Sequence, residues 1–452
     1  RFRDYKNFNA GEFNSSLSDA LADISDSNFH EPEVLWSKFK ETFLKVSGDH
    51  APFKTMRLKE RNNRWITKEI ISLMYKRDYI QVKAVENKSN DLWSQYTELR
   101  NHINRLTTQS KELYFADMYK NCKHDSKKLF KEIQKVFPSK QSKTCNIDIS
   151  SNVFNDAFVS IGEKVEDKFK SRPNVAKMKG NPSLYSFHLA PVKIDSVLKN
   201  LKEFNLNSSN DILDFDSKLL RISAVTIAPL LVKIFNLSIN KSIILEDFKL
   251  ARVTPIYKGK GHLDDPLSFR PISVTCHISK LFEREINTQL YCYLEKHSFI
   301  STDQSAYIKY HSTVTALHRI VDDWLQNIDD GNITAVCFLD VEKCFNSINH
   351  NILIEKLKWY GLDEQTINLF RSYLYKRKQA VYHNDELSDW KEVNIGVPQG
   401  SVLGPLLFLI FVNDLPSNVG NSVCNMFADD ADLYIDGTSI DEVNKKLQEC
   451  ID

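Results

Sequence analysis

Paired cysteines are missing from this chain. Its eight cysteines (Cys122, Cys145, Cys276, Cys292, Cys337, Cys344, Cys424 and Cys450) include no Cys-x-x-Cys, and no histidine pair stands at ligand spacing. That scatter excludes a disulfide framework and a zinc site, and it reads as reduced, intracellular thiols. A signal peptide and a membrane span are missing too. The longest apolar run, Val402–Val412, contains Gly404 and Pro405 and is too short to cross a bilayer. There is no internal repeat and no low-complexity tract. The first residue is Arg1 rather than methionine, so a piece cut from a longer reading frame is expected.

What remains is an ordinary globular composition, 42% apolar and 26% charged over 452 residues, enough for two or three domains. The net charge of +1 hides an asymmetry. Residues 51–150 carry 21 Lys+Arg against 11 Asp+Glu, residues 1–50 carry 6 against 9, and residues 151–452 carry 33 against 39. A basic segment in the first third suits a polyanionic partner, although a solvated lysine-rich helical face has the same composition.

Helical spacing dominates the first 180 residues. Leu35, Phe39, Phe43 and Val46 follow Pro32, which suits a first turn. Leu92, Tyr96, Leu99, Ile103 and Leu106 repeat every three or four residues, and Leu113 continues the row, as in an antiparallel helix pair or short coiled coil. Pro138–Gln141 breaks the run, a further helix carries Phe154, Phe158, Ile161 and Val165, and Arg172-Pro173 to Asn181-Pro182 reads as a linker. From about residue 188 the pattern is mixed. Ile227, Leu230, Leu231 and Ile234 mark a buried helix, and Ala251–Tyr257 and Ile333–Leu339 mark strands. Gln379–Tyr382 is expected to pair with Val393–Val397 across His383-Asn384-Asp385. The fold class is α+β.

Three motifs carry chemistry. Asp340 closes an apolar strand, with the aromatic Phe345 five residues on. Gly396-Val397-Pro398-Gln399-Gly400 makes a rigid turn into the apolar run Leu406–Val412. There glycine permits close backbone approach and a helix N-terminus favours negative charge. Asp429-Asp430 sits between two apolar runs, where like charges repel unless a cation neutralises them. Each has a plain structural reading: a turn cap, a helix entry, a common acidic turn. Their order, at spacings of about 60 and then 30 residues, is what adds weight. Carboxylates so placed could hold divalent cations for nucleotidyl transfer. Upstream, Lys258 and Lys260 lie in a glycine-bearing loop, and Arg270 follows, offering cations suited to a triphosphate.

On these residues the chain resembles the reverse transcriptase of non-LTR, LINE-type retrotransposons of the jockey and CR1-like kind. The stretches that carry the resemblance are Ala251–Tyr257, Arg270-Pro271-Ile272-Ser273, Ser279–Glu283, His311-Ser312-Thr313 with Thr315-Ala316-Leu317, Phe338–His350, Gly396–Leu415 and Phe427–Asp430. Arg64-Trp65-Ile66-Thr67, Tyr96 with Arg100-Asn101, and Phe154-Asn155 with Ile161-Gly162 resemble the segment between endonuclease and polymerase in such elements.

The resemblance implies a right-hand polymerase with fingers and palm, the thumb missing, preceded by an α-helical N-terminal region. Its divisions fall at residues 1–50 (the end of a preceding linker), 51–180 (the basic helical region) and 188–452 (fingers and palm). Asp340, Asp429 and Asp430 would be the catalytic, metal-binding carboxylates for two Mg²⁺ ions, with Mn²⁺ as substitute. Phe345 would be the gate that rejects a 2′-hydroxyl. Gln399 and Gly400 would meet the nascent pair and incoming nucleotide, and Arg270 and Lys258 the triphosphate, with Lys260 an alternative to Lys258. The partners implied are an RNA template, a DNA primer or target and deoxynucleoside triphosphates, with no membrane and an endonuclease domain upstream. Synthesis would be target-primed in the nucleus after a cytoplasmic ribonucleoprotein stage. Two positions depart from the family pattern: Asn346 follows the gate where an aspartate is usual, and Ile308 stands where an arginine is usual. They leave a second expectation open, a decayed or repurposed copy that binds nucleic acid without polymerising.

Overall fold

The computed structural model describes residues 2–26, 29–55, 65–122, 125, 129–130, 132–133, 148–170, 182–205, 211–340, 344–420 and 422–451. Residues 55–148 with 1–2 form one compact unit, and residues 3–54 with 149–452 form the other. These limits differ from the divisions at residues 50, 180 and 188 expected from sequence. Helices α1 (Ala10–Asp26) and α2 (Pro32–His50) belong to the larger unit. The row Leu35, Phe39, Phe43 and Val46 of α2 is buried as expected. It packs there because Phe39 and Phe43 meet Phe215, and Trp36 meets Phe248 while donating its indole N–H to Asp247 at 2.8 Å. An aromatic contact surface of this size makes the segment core, not linker.

The smaller unit is built on α3 (Lys68–Asn87) and α4 (Asn90–Asn121), which pack together. Lys88 ends α3 in the left-handed region (φ 46°), and the Ser89 hydroxyl caps α4 by accepting the Leu92 N–H. Ile103 is buried and Leu92, Tyr96, Leu99 and Leu106 are half-buried, but Leu113 is 70% exposed. Its row stops because α4 runs past the first residue of α3: Ser110 already bonds the Trp65 carbonyl, just ahead of the start of α3. Residues 65–122 hold 9 of the 21 basic residues against 7 acidic ones. The break at Pro138–Gln141, the Arg172–Asn181 part of the linker, Arg64 and the side chain of Val165 lie outside the described residues.

In the larger unit, α5 (Ser151–Lys170) buries Phe154, Phe158 and Ile161. Helices α6 (Ile194–Lys202), α7 (Ser217–Ile222) and α8 (Ala224–Lys241) lead into a broad apolar core. By length and composition α8 could cross a membrane. Here it is a core helix, with Ile227, Ala228, Leu230, Leu231, Ile234 and Phe235 buried. Helices α9 (His277–Lys296), α10 (Thr313–Asp329), α11 (His350–Trp359), α12 (Glu364–Leu374), α13 (Gly404–Val412) and α14 (Ile440–Ile451) complete the helical set used below.

Two sheets organise the rest. Strands β1 (Leu250–Tyr257) and β2 (Phe269–Val274) pair antiparallel, and β1 runs parallel to β4 (Arg377–His383). The turn after β4 places Asn384 and Asp385 at φ 49° and 62°, the backbone of a type I′ hairpin. The return strand is therefore β5 (Glu386–Leu387) and then β6 (Lys391–Val393), where Val393 pairs with Arg377. The expected pairing of Gln379–Tyr382 with Val393–Val397 is overturned: Gln379 pairs with Lys391 and Tyr382 with Leu387, because the two-residue loop brings the return strand in directly after Asp385. The second sheet is antiparallel, with β8 (Asp430–Gly437) between β3 (Ile333–Asp340) and β7 (Val423–Phe427). Mixed helices with these largely antiparallel sheets make an α+β fold.

Candidate active site

Alternation along the second sheet decides where its carboxylates go. Cys337, Leu339, Cys424, Met426, Ala431 and Leu433 share one face and form a small apolar core. Phe338, Asp340, Asp430 and Asp432 must then share the other face. Asp340 and Asp430 stand directly opposite each other in the register. Asp429 lies in the two-residue turn between Phe427 and Asp430, where it is half-buried while Asp340 and Asp430 are exposed. Three carboxylates separated by about 90 residues of chain thus reach one end of one sheet.

The turn at Gln399 is fixed by its neighbours. Gly396 (φ 84°) passes so close to the Phe345 loop that a Cβ would lie 2.7 Å from the Phe345 carbonyl oxygen. The N–H of Val397 donates to that same oxygen at 2.8 Å. Gly400 (φ 130°) leaves no room for a Cβ, which would fall 2.3 Å from the Ser273 carbonyl oxygen on β2. Close approach of this glycine is therefore to a strand of the protein itself. The Ser273 N–H donates to the Gln399 carbonyl at 2.8 Å. Phe345 is half-buried, its ring 5.3 Å from Phe408 of α13 and 6.3 Å from Tyr307.

These parts meet in one cleft of about 970 Å³ that opens to solvent, lined by Lys258, Lys260, Arg270, Asp340, Phe345, Asn346, Gln399 and Asp429 among others. Of the residues to which the resemblance gives a catalytic or nucleotide-binding role, Gly400 and Asp430 are outside its lining, as is Ile308. The ammonium of Lys258 donates to the Leu267 carbonyl across the β1–β2 hairpin at 2.8 Å. The hairpin therefore presents a partly tethered cation beside Lys260 and Arg270.

Electrostatics agree that the carboxylates converge. Burial pushes the Cys344 thiol up to about 12, and the negative charges of Asp429 and Asp340 add to the shift. The Tyr307 phenol is also raised, by burial and then by Cys344 and Asp429. Asp432, two residues along the same face as Asp430, has its carboxyl raised by burial first, and the charge of Asp430 adds to the shift against the opposing influence of the nearby Asn425 amide. Among the described residues no three His, Cys, Asp or Glu side chains form a ready-made metal cluster. The donor set nonetheless fits a hard divalent ion: Mg²⁺ prefers oxygen ligands, keeps several waters, and is commonly held by one or two carboxylates plus substrate phosphates.

Several residues that hold the site were not singled out. Glu283 of α9, 2% exposed, accepts the N–H groups of Val402 (2.7 Å) and Leu403 (3.1 Å) at the entry to α13. The negative charge favoured by that helix N-terminus thus comes from inside the protein. A ring nitrogen of His350 bonds the Gly396 carbonyl at 2.7 Å. Tyr307 (φ 59°) stands edge-on to Phe345. Glu283 and His350 lay inside matched sequence blocks, but nothing in a linear motif tells a buried anchor from a reacting group.

Residues 257–452 match the family described as "Reverse transcriptase (RNA-dependent DNA polymerase)". Among the curated proteins similar to this chain are three from Drosophila. The probable RNA-directed DNA polymerase from transposon BS of Drosophila melanogaster is 28% identical over 59% of this chain and 30% of its own length. That from transposon X-element of the same species is 34% identical over 44% of this chain and 22% of its length. The RNA-directed DNA polymerase from mobile element jockey of Drosophila funebris is 32% identical over 49% and 25%. The matches thus span less than a third of each of these relatives.

Proposed function

We propose, because residues 257–452 match the reverse transcriptase family and are similar to the enzymes of non-LTR retrotransposons, that this chain is the RNA-directed DNA polymerase of such an element. The observation that supports it is the single cleft holding Asp340, Asp429, Phe345, Gln399 and Arg270 with Lys258 and Lys260. The second sheet with α10 then serves as palm, and the β1–β2 hairpin as fingers. Bound at Asp340 and Asp429, with Asp430 beside them, two Mg²⁺ or Mn²⁺ ions would supply charge neutralisation and a more acidic primer 3′-hydroxyl.

The chain's own side chains do the rest. Arg270, Lys258 and Lys260 draw the triphosphate of a deoxynucleotide to one wall of the cleft and hold its charge. The Gln399 turn, braced between β2 and the Phe345 loop, lies where the new base pair forms. Phe345, backed by Phe408, crowds the sugar and rejects a 2′-hydroxyl. A template RNA and a primer supplied by nicked target DNA complete the reaction, which places the work in the nucleus after cytoplasmic assembly with RNA. An endonuclease domain upstream in the full-length element would supply the nick.

Primer extension on an RNA template tests this. Wild type should extend with Mg²⁺ and with Mn²⁺, and Asp429→Ala should reduce extension at least about a hundredfold. An identical absence of extension for both proteins with both metals would replace the enzyme reading with nucleic-acid binding alone.

A further inference from the structure

The acidic turn is held by a residue far from it in sequence. Ala428, its first residue, sits at φ 58°, a left-handed conformation that disfavours any residue with a Cβ and usually selects glycine, asparagine or aspartate. Its N–H is accepted at 3.1 Å by the side-chain oxygen of Gln304. That oxygen also accepts the Ala306 N–H at 2.8 Å, and Gln304 is 1% exposed. The whole segment is laid along β7. Met426 donates to the Asp303 carbonyl at 2.7 Å, Ser305 donates to the Met426 carbonyl at 2.9 Å, and Gln304 bridges Met426 in parallel. Arg319 of α10 anchors the segment in turn, through Asp303 at 2.8 Å.

The chemistry of Gln304 suits an acceptor and little else. Its amide nitrogen is buried with no hydrogen-bond partner. The side chain is thus kept for one oxygen serving two backbone N–H groups. A carboxylate could make the same two bonds but would add a like charge one residue from Asp429. An alkyl group would leave both N–H groups unpaired.

We infer that Gln304 is a positioning residue for nucleotidyl transfer, locking the Ala428–Asp429 turn so that Asp429 faces the cleft it shares with Asp340. The role in the reaction rests on the polymerase reading. The grip on the turn does not.

Hydrogen exchange by mass spectrometry and steady-state extension kinetics on the full chain test it together. Gln304→Leu should speed exchange across residues 423–432 about tenfold or more. It should lower kcat about tenfold while leaving KM for the deoxynucleotide within about twofold, because the Lys258, Lys260 and Arg270 wall is untouched. Gln304→Glu should keep the protection, since it keeps the acceptor. Ala428→Gly in the Gln304→Leu background should recover part of the protection and of kcat, because glycine takes this backbone conformation without help while the two N–H groups stay unpaired. Should Gln304→Leu not fold, Gln304→Asn, one methylene too short for both bonds, makes the same comparison. Wild-type exchange and kcat in Gln304→Leu would overturn the inference. So would a loss spread over the whole molecule that Ala428→Gly does not even partly reverse, which would mark a merely structural residue. An inactive wild type overturns the polymerase reading and the catalytic consequence with it, while the exchange arm still judges the grip.

Discussion

Removing the carboxylate of Glu283 is the sharpest test of how the Gln399 turn is held. That side chain is 2% exposed, accepts Val402 and Leu403 N–H groups at 2.7 and 3.1 Å, and receives the Ser279 hydroxyl at 3.2 Å. Glu283→Ala leaves two backbone donors at the start of α13 without partners, at about 1–3 kcal/mol each, and removes a charge favoured at that helix end for about another 0.5–1 kcal/mol. The expected loss is about 2.5–7 kcal/mol, a large part of the ~5–15 kcal/mol that keeps a domain folded. Glu283→Gln keeps an oxygen for the two N–H groups, and its new amide N–H can donate to Ser279. It should cost only about 1–2 kcal/mol. Urea unfolding of the three proteins, compared at the transition midpoint, measures both numbers. A Glu283→Ala protein within about 1 kcal/mol of wild type would refute the reasoning. Equal damage from the two substitutions would refute it as well, since it would show that the acceptor geometry is not what matters.

Phe345→Ala should relax discrimination against ribonucleotides by roughly tenfold or more, read as the ratio of kcat/KM for deoxynucleotide and ribonucleotide; an unchanged ratio removes Phe345 from the gate. His350 predicts a pH dependence. Its burial, with a smaller push from Arg377, lowers its pKa against the opposing bond to Gly396. The neutral ring is thus favoured in the folded state, and its contribution is full above the unfolded value of about 6.5 and is lost as pH falls below it. Thermal unfolding between pH 5 and 7 should show a smaller slope for His350→Gln than for wild type, and equal slopes would count against this assignment.

Much of the site was legible because polymer periodicity and residue chemistry are local. A β-branched run ending in Asp340, an acidic pair between two apolar runs, and glycines flanking Gln399 each need only their neighbours to be recognised. The strands β1 and β3, the helices α2, α4, α8 and α13, and the cleft residues Asp340, Asp429, Phe345, Gln399, Arg270 and Lys258 were all visible in this way. The row on α4 failed at Leu113 because its end depends on where its antiparallel partner α3 begins. The pairing of β4 failed because two residues in the left-handed region shorten the loop.

The sequence by itself determined the elements, the α+β class and the kinds of charge at the site, since these follow from spacing and side-chain chemistry. Only the tertiary structure decided which groups touch. It brought Asp340 opposite Asp430 across nearly a hundred residues, used the freedom of Gly400 for a strand carbonyl, and filled the N-terminus of α13 with Glu283. It also set Gln304 against a turn 124 residues away. Such pairings depend on how helices and sheets pack at long range, where the closing contacts are set by shape and burial rather than by any local pattern.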